Sequence, residues 1–181
     1  MRKFLVVAVM AVATTVLMRT ASYAVQATVR CPATAQARRH FLGRVMLDAG
    51  TTPVGAYSIT VTYDPAVVTI ASVAGGETAE FAGAPTTDPA SFTTGTTNIS
   101  AFQSSSLKGP SGVVSAARVT FNVVAKASTA TSVGLTVRNL FDTSSSPIST
   151  TERGCRVRVT AAKTQPRRPR SQPARGHHPP T

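Results

Sequence analysis

Two cysteines, Cys31 and Cys155, are the residues with the clearest chemistry in this 181-residue chain. In a reducing compartment such a pair can be two free thiols, or it can belong to a metal or catalytic site. In an oxidising compartment an even number of cysteines predicts a disulfide. The choice between these interpretations depends on where the chain resides.

Residues 1–24 have the three parts of a secretory signal peptide. Arg2 and Lys3 form a basic start, residues 4–18 form an apolar run, and Ser22-Tyr23-Ala24 offers a cleavage site. The run is shorter than the ~20 residues of a membrane span, although an uncleaved N-terminal anchor stays open as the alternative. We expect a secreted or cell-surface protein with no transmembrane segment in its mature form. The two cysteines are then predicted to form a disulfide.

No catalytic constellation can be assembled from the other reactive residues. His40, the only histidine of residues 25–160, stands beside two arginines and is expected to be solvated. Glu77 and Glu80 could help to hold Ca²⁺, but they lack the ligand spacing of a calcium loop. The sequence therefore predicts a protein that is not an enzyme and binds no metal or cofactor, with a two-carboxylate glycosidase as the alternative. Seven acidic residues are available, mostly in turn-like contexts: Asp48, Asp64, Glu77, Glu80, Asp88, Asp142 and Glu152.

The net charge of +12 suggests a nucleic-acid partner until its distribution is considered. Residues 1–24 carry three of these charges and residues 161–181 carry five. The body, residues 25–160, has eleven basic and seven acidic residues. It also lacks the interleaved basic and aromatic residues that stack on bases, so nucleic acid is not the expected partner.

Residues 161–181 are predicted to be a disordered basic tail. They are rich in Pro and Arg and contain neither acidic nor large apolar residues, so burial cannot offset the entropy cost of ordering them. One interpretation is that the tail contacts an anionic polymer or lipid, as part of a structural cell-surface or matrix component. The other interpretation is that the tail only aids solubility.

The body is predicted to be all-β. Its clearest strand, at residues 55–65, ends in a turn at Asp64-Pro65. Core and hydroxyl residues alternate along this strand, with Tyr57, Ile59, Val61 and Tyr63 on one side and Ser58, Thr60 and Thr62 on the other. Further strands are expected near residue 28 and at 41–48, 67–73, 98–103, 113–124, 133–140 and 155–160. About eight short strands without a helical stripe predict an antiparallel β-sandwich.

A long segment, residues 74–96, interrupts the regular spacing of the strands. It is rich in Gly, Pro and Thr, and Phe81 and Phe92 are its only aromatic residues. Loops of this length usually carry function or hold themselves in place. We expect the two Phe side chains to pin the segment to the edge of the sandwich.

Four segments of the body follow one another in a familiar order: VGAYSITVTYDPAVVTIASVAGG, NISAF, GPSGVVSAARVTFNVVAK and VGLTVRNLFD. Together they resemble the cohesin domain and its relatives in the carbohydrate-binding-module superfamily. The strand end Tyr-Asp-Pro and the Thr-Phe-x-Val strand are the most specific pieces. The resemblance implies a jelly-roll sandwich of about nine strands whose ends pair, which agrees with the predicted disulfide.

The resemblance also implies a function. Cohesins are non-catalytic receptors that bind calcium-loaded dockerin modules of secreted, often polysaccharide-degrading proteins. In that family one flat sheet face takes the partner, and the strand at 55–64 belongs to it. The outward residues of this strand, Ser58, Thr60 and Thr62, are therefore the candidate binding residues. A row of hydroxyl groups is also what plain solvation produces.

A glycan is the alternative ligand. The related carbohydrate-binding modules use rows of exposed aromatic residues, because sugar rings stack on aromatic planes. This chain has no Trp, and Tyr57 and Tyr63 are expected in the core. We therefore expect no binding to crystalline cellulose, whereas binding of a soluble glycan through loops stays open.

Overall fold

The computed structural model describes residues 24–126 and 128–161. The predicted signal peptide and basic tail lie outside these residues, except for Ala24 and Ala161. Two short 3₁₀ helices, Ala79–Phe81 and Pro89–Thr93, accompany eleven strands. The strands are β1 (Val25–Arg30), β2 (Thr34–Gln36), β3 (His40–Asp48), β4 (Val54–Thr62), β5 (Val68–Gly75), β6 (Thr86–Thr87), β7 (Thr96–Phe102), β8 (Val113–Val123), β9 (Ala130–Asp142), β10 (Thr150–Arg153) and β11 (Cys155–Thr160).

The strands form two sheets that pack face to face, so the predicted β-sandwich is confirmed. One sheet has the order β10-β1-β3-β8-β5, and the other has the order β2-β11-β9-β4-β7-β6. The sequence predicted about eight or nine strands, and the structure adds the short strands β2, β6 and β10. Strands of two to four residues are too short for alternation to reveal them.

Both ends of the described chain pass from one sheet to the other. The segment β1–β2 runs beside the segment β10–β11, and this makes the pairs β1–β10 and β2–β11 parallel in an otherwise antiparallel fold. Cys31 and Cys155 form the predicted disulfide at this crossing, with Cα atoms 5.9 Å apart. Gly154, next to Cys155, packs closely against β9, because a Cβ atom there would lie 2.5 Å from the carbonyl oxygen of Val133.

The inner faces of both sheets form one apolar core, as the alternation predicted. Phe121 lies at its centre, stacked on Phe41 with ring centroids 5.0 Å apart and in edge contact with Tyr63 at 5.8 Å. The buried Tyr57 hydroxyl donates a hydrogen bond to the carbonyl oxygen of Ala116, 2.9 Å away. Since Tyr57 lies on β4 and Ala116 on β8, this bond joins the two sheets.

The long segment between β5 and β7 is held by its two aromatic residues. Phe81 is buried, and its ring centroid lies 5.3 Å from that of Tyr57. Phe92 is partly buried against the core, and its carbonyl oxygen accepts a 2.8 Å hydrogen bond from the hydroxyl of Tyr63. The segment is therefore an ordered cover on the edge of the sandwich.

Candidate functional site

The predicted binding residues Ser58, Thr60 and Thr62 lie on the outer face of the six-stranded sheet. They point outward because Tyr57, Ile59 and Val61 between them are buried in the core. Their exposure is unequal: Thr62 is exposed and Ser58 is half-buried, but Thr60 is only 3% exposed. The row is thus not the uniformly solvated ridge of hydroxyl groups that alternation alone suggests.

Thr60 is covered because its hydroxyl is the centre of a hydrogen-bond network. It donates to Oδ1 of Asn98, 2.7 Å away, and it accepts from Nε of Arg138 at 3.1 Å. Two residues along the same strands, the hydroxyl oxygens of Ser100 and Ser58 are 2.9 Å apart. These bonds hold the polar side chains of three neighbouring strands in fixed positions.

A β-bulge places Arg138 over this network. In the β4–β9 ladder Ser58 pairs with Asn139 and Ile59 pairs with Val137, so Arg138 is an extra residue without a partner on β4. Bulges redirect side chains in this way. As a result a guanidinium group lies above Thr60 on a surface that is otherwise uncharged along β4.

We call the outer surface of β7, β4 and β9 the β4 face. The strand registers arrange it in four successive rows across the three strands. The first row is apolar, the second and third carry hydroxyl and amide groups, and the fourth ends at a glycine. The rows are Phe102–Ala56–Phe141, Ser100–Ser58–Asn139, Asn98–Thr60–Thr136 and Thr96–Thr62–Gly134.

The apolar row forms a slot between two aromatic side chains. Phe102 is 77% exposed and Phe141 is half-buried, and the small side chain of Ala56 lies between them. An open cavity of about 430 Å³ lies at this end of the face, and the fully exposed Leu107 also lines it. Exposed aromatic and aliphatic side chains beside fixed polar groups are typical of protein-recognition surfaces.

Sequence reasoning missed Phe102, Asn98, Asn139 and Arg138. The alternation along β7 could have revealed Phe102 and Asn98. Residues an even number of positions apart in a strand lie on the same face, and Ile99 between these two is buried. No comparable signal exists for Arg138, since a bulge breaks the alternation on which such reasoning depends.

The groups needed for catalysis or metal binding are dispersed. Asp64, Asp88 and Asp142 accept hydrogen bonds from backbone N–H groups two residues on, as turn residues do. Residues 24–126 and 128–161 contain no group of three or more His, Cys, Asp or Glu that could hold a metal ion. Burial raises the pKa of Tyr57 well above its usual value, but this hydroxyl lies inside the core and away from the β4 face.

A model of the cohesin domain matches residues 44–157, which is more than half of the chain. The chain belongs to the cohesin family. No curated protein matches it as a relative. In the part that the structure describes, no helix of this cohesin is long and apolar enough to cross a membrane.

Solved cohesin structures share this fold at low sequence identity. The cohesin of a Clostridium thermocellum cohesin–dockerin complex is 7% identical with a TM-score of 0.65, covering 76% of this chain and 99% of its own. The sixth cohesin of Acetivibrio cellulolyticus scaffoldin B, solved with a Cel5 dockerin, is 16% identical with a TM-score of 0.63 and the same two coverages. A non-cellulosomal cohesin from Archaeoglobus fulgidus is 13% identical, with a TM-score of 0.59 and coverages of 76% and 92%.

Proposed function

We propose that this cohesin is a non-catalytic receptor that binds a dockerin-type protein module through its β4 face. The observation that carries the proposal is the sequence of rows on that face, where an exposed aromatic slot adjoins a fixed network of hydroxyl and amide groups. Two of the cohesins with the same fold were solved in complex with dockerins, which supports this class of partner.

The polar rows supply direction and specificity to such an interface. Ser58, Thr60 and Asn98 are held by hydrogen bonds within the protein, so a partner that contacts them causes little further loss of side-chain entropy. Arg138 still has donors available beyond the Nε–H that Thr60 accepts, and these can bind a partner's carbonyl or carboxylate oxygen.

The apolar row supplies most of the binding free energy in this proposal. Binding hot spots are most often large side chains that become fully desolvated in the complex. Phe102 has the most surface to lose among the apolar residues of the β4 rows, and Leu107 extends the same apolar area. A partner side chain that enters the slot above Ala56 would desolvate both aromatic rings at once.

The setting of this receptor is also part of the proposal. We infer that residues 1–24 direct export, that residues 25–160 form the binding domain and that residues 161–181 are a basic tail. The disulfide supports an oxidising and therefore extracellular or cell-surface location.

The test is a capture experiment with the full-length protein and the secreted proteins of its source organism, with Ca²⁺ or with a chelator. We expect a dockerin-bearing protein, identified by mass spectrometry, to be retained only with Ca²⁺, because the resemblance assigns calcium to the dockerin. The Phe102→Ala variant should lose this capture. Val113→Ala removes an exposed apolar side chain from the other sheet and is the matched control.

Two results would contradict the proposal. One is the absence of any dockerin-bearing protein from the calcium-dependent fraction. The other is capture that Phe102→Ala and Thr60→Val leave unchanged, since these variants alter the slot and the hydrogen-bond network respectively. Retention on affinity gels that contain neutral soluble polysaccharides, lost in Phe102→Ala, would instead indicate the glycan alternative at the β4 face.

A further inference from the structure

Three arginines lie side by side on the outer face of the five-stranded sheet. Arg30 on β1 pairs in register with Arg44 on β3, and Arg44 pairs with Arg118 on β8. Neighbouring strands lie about 4.8 Å apart, so three positive charges are concentrated along one line across the sheet. Like charges that face each other across strands destabilise a sheet. We call the outer surface of β1, β3 and β8 the arginine face.

Little within the described part of the protein neutralises this row. Among the described residues, the row forms one salt bridge, from Nε of Arg44 to Oε1 of Glu77 at 3.2 Å. Both of these side chains are about half exposed. Arg118 donates from Nε to the carbonyl oxygen of Gly75 at 2.9 Å, which leaves its charge uncompensated. Arg30 lies within salt-bridge distance of no carboxylate of the described residues.

One end of the row opens into a groove between β1, β2 and β3. This open groove of about 730 Å³ is lined by four basic side chains, Arg30, Arg39, His40 and Arg44, together with the polar residues Thr34 and Gln36. No acidic residue lines it, and Glu77 reaches Arg44 from outside the lining. We call it the arginine groove.

We propose that the arginine groove binds a carboxylate-bearing polysaccharide. Guanidinium groups bind carboxylates bidentately, and several of them along one groove match a chain with a regularly repeated negative charge. The groove has the volume of a small-ligand site, which suits a few sugar residues of such a chain. Thr34 and Gln36 can accept and donate hydrogen bonds to the sugar hydroxyl groups.

Two other anionic partners fit the groove less well. Binding of single-stranded nucleic acid relies on exposed aromatic rings, but Phe41, the only Phe, Tyr or Trp of the lining, points into the core and stacks on Phe121. Binding to a lipid surface is strengthened by apolar side chains that enter the bilayer. The large exposed apolar residues of the described chain are Phe102, Leu107, Val113 and Val124, and none of them lines the groove.

This site is independent of the proposed dockerin-binding function. The arginine face and the β4 face belong to different sheets and point to opposite sides of the sandwich. β2, which lines the groove from the edge of the six-stranded sheet, is separated from the β4 face by β11. A ligand in the arginine groove therefore leaves the β4 face accessible. A cohesin with both sites can hold its protein partner next to an acidic polymer.

The test compares two double variants of the full-length protein that remove equal charge. Arg30→Gln/Arg44→Gln changes the groove, whereas Lys108→Gln/Arg156→Gln changes two basic residues that do not line it. Both variants are made in a background with Arg167, Arg168, Arg170 and Arg175 replaced by Gln, because charges near the C-terminus also attract anions. Polygalacturonate is the probe, dextran is the neutral control, and a single-stranded DNA oligonucleotide is the competing polyanion.

We expect Arg30→Gln/Arg44→Gln to weaken polygalacturonate binding about 10-fold relative to Lys108→Gln/Arg156→Gln at the same ionic strength. Dextran should not bind. Equal loss in both double variants would overturn the proposal, because the attraction would then depend on net charge alone. Tighter binding of the oligonucleotide than of polygalacturonate, lost in the groove variant, would assign the groove to nucleic acid instead. A circular-dichroism melting curve verifies that each variant is folded.

Discussion

The β4 face carries hydroxyl, amide and aromatic side chains around one arginine, Arg138, whereas the arginine face carries Arg30, Arg44 and Arg118 in a single row. On both sheets outward residues alternate with inward residues along each strand. The outward residues form the two faces, and the inward residues meet in one core of aliphatic and aromatic side chains. The inward positions are restricted to apolar side chains by burial. The outward positions carry no such restriction, so each face can acquire its own chemistry.

The two faces also differ in how their charges are satisfied. The guanidinium of Arg138 is tied to Thr60, which in turn is tied to Asn98, so this face is preorganised for directional contacts. On the arginine face the like charges lie opposite one another. An anionic ligand would reduce the repulsion among these arginines and so stabilise the folded protein. The difference between the two faces can therefore be tested.

The largest expected effect comes from the disulfide, which joins the segment β1–β2 to the segment β10–β11. Replacing Cys31 and Cys155 by Ser should lower the free energy of unfolding by about 4–5 kcal/mol, because the closed loop spans 124 residues. Urea denaturation measures this change, and the reduced wild-type protein should unfold at the same urea concentration as the variant. A loss below about 2 kcal/mol would show that strand pairing alone holds the ends.

The next effect separates the two faces by function. Phe102→Ala should weaken dockerin binding about 30-fold, or about 2 kcal/mol, because it removes the most exposed side chain of the aromatic slot. Its affinity for polygalacturonate should not change. Isothermal titration calorimetry with both ligands measures the two affinities. If the affinity for either ligand changes with substitutions on both faces, the two faces are not independent.

A smaller effect tests the core that the faces share. Burial raises the pKa of Tyr57, so its neutral form is favoured in the folded state. This contribution to stability is fully present below the unfolded-state pKa near 10 and is lost as the pH rises above it. Between pH 9 and pH 11 the free energy of unfolding should fall by about 1.4 kcal/mol more in the wild-type protein than in Tyr57→Phe. Equal falls in urea denaturation at the two pH values would contradict burial of this hydroxyl.

The smallest effect tests the repulsion on the arginine face. Arg30→Gln should raise the free energy of unfolding by about 0.2–1 kcal/mol at low salt, because it removes a like charge opposite Arg44 without breaking a salt bridge of the described residues. High salt should abolish the gain. Arg156→Gln is the control, since Arg156 pairs with Ser132. A lower melting temperature in Arg30→Gln than in the wild-type protein would show that repulsion among these arginines does not destabilise the fold.

Much of the fold could be predicted because alternation is a local property. The in–out pattern of β4, the inward direction of Tyr57 and Tyr63 and the pinning by Phe81 and Phe92 all follow from neighbouring residue types. The parallel pairings of β1 with β10 and of β2 with β11 could not be predicted in this way. They depend on how both chain ends change sheets, which short segments do not reveal.

The candidate sites were less predictable than the fold. Ser58, Thr60 and Thr62 were found from their strand, but the burial of Thr60 depends on Asn98 and Arg138, which are 38 and 78 residues away in sequence. The arginine row depends in the same way on two strand registers that bring Arg30, Arg44 and Arg118 together. Neither arrangement leaves a pattern in any single window of sequence.

The sequence by itself determined the β-sandwich, because burial and alternation act on adjacent residues. The resemblance of its segments indicated the cohesin family, and its two cysteines predicted the disulfide. Only the tertiary structure decided which outward residues become neighbours. Strand register is set by pairing between segments far apart in the chain, and a single bulge at Arg138 changes which side chain lies on the β4 face.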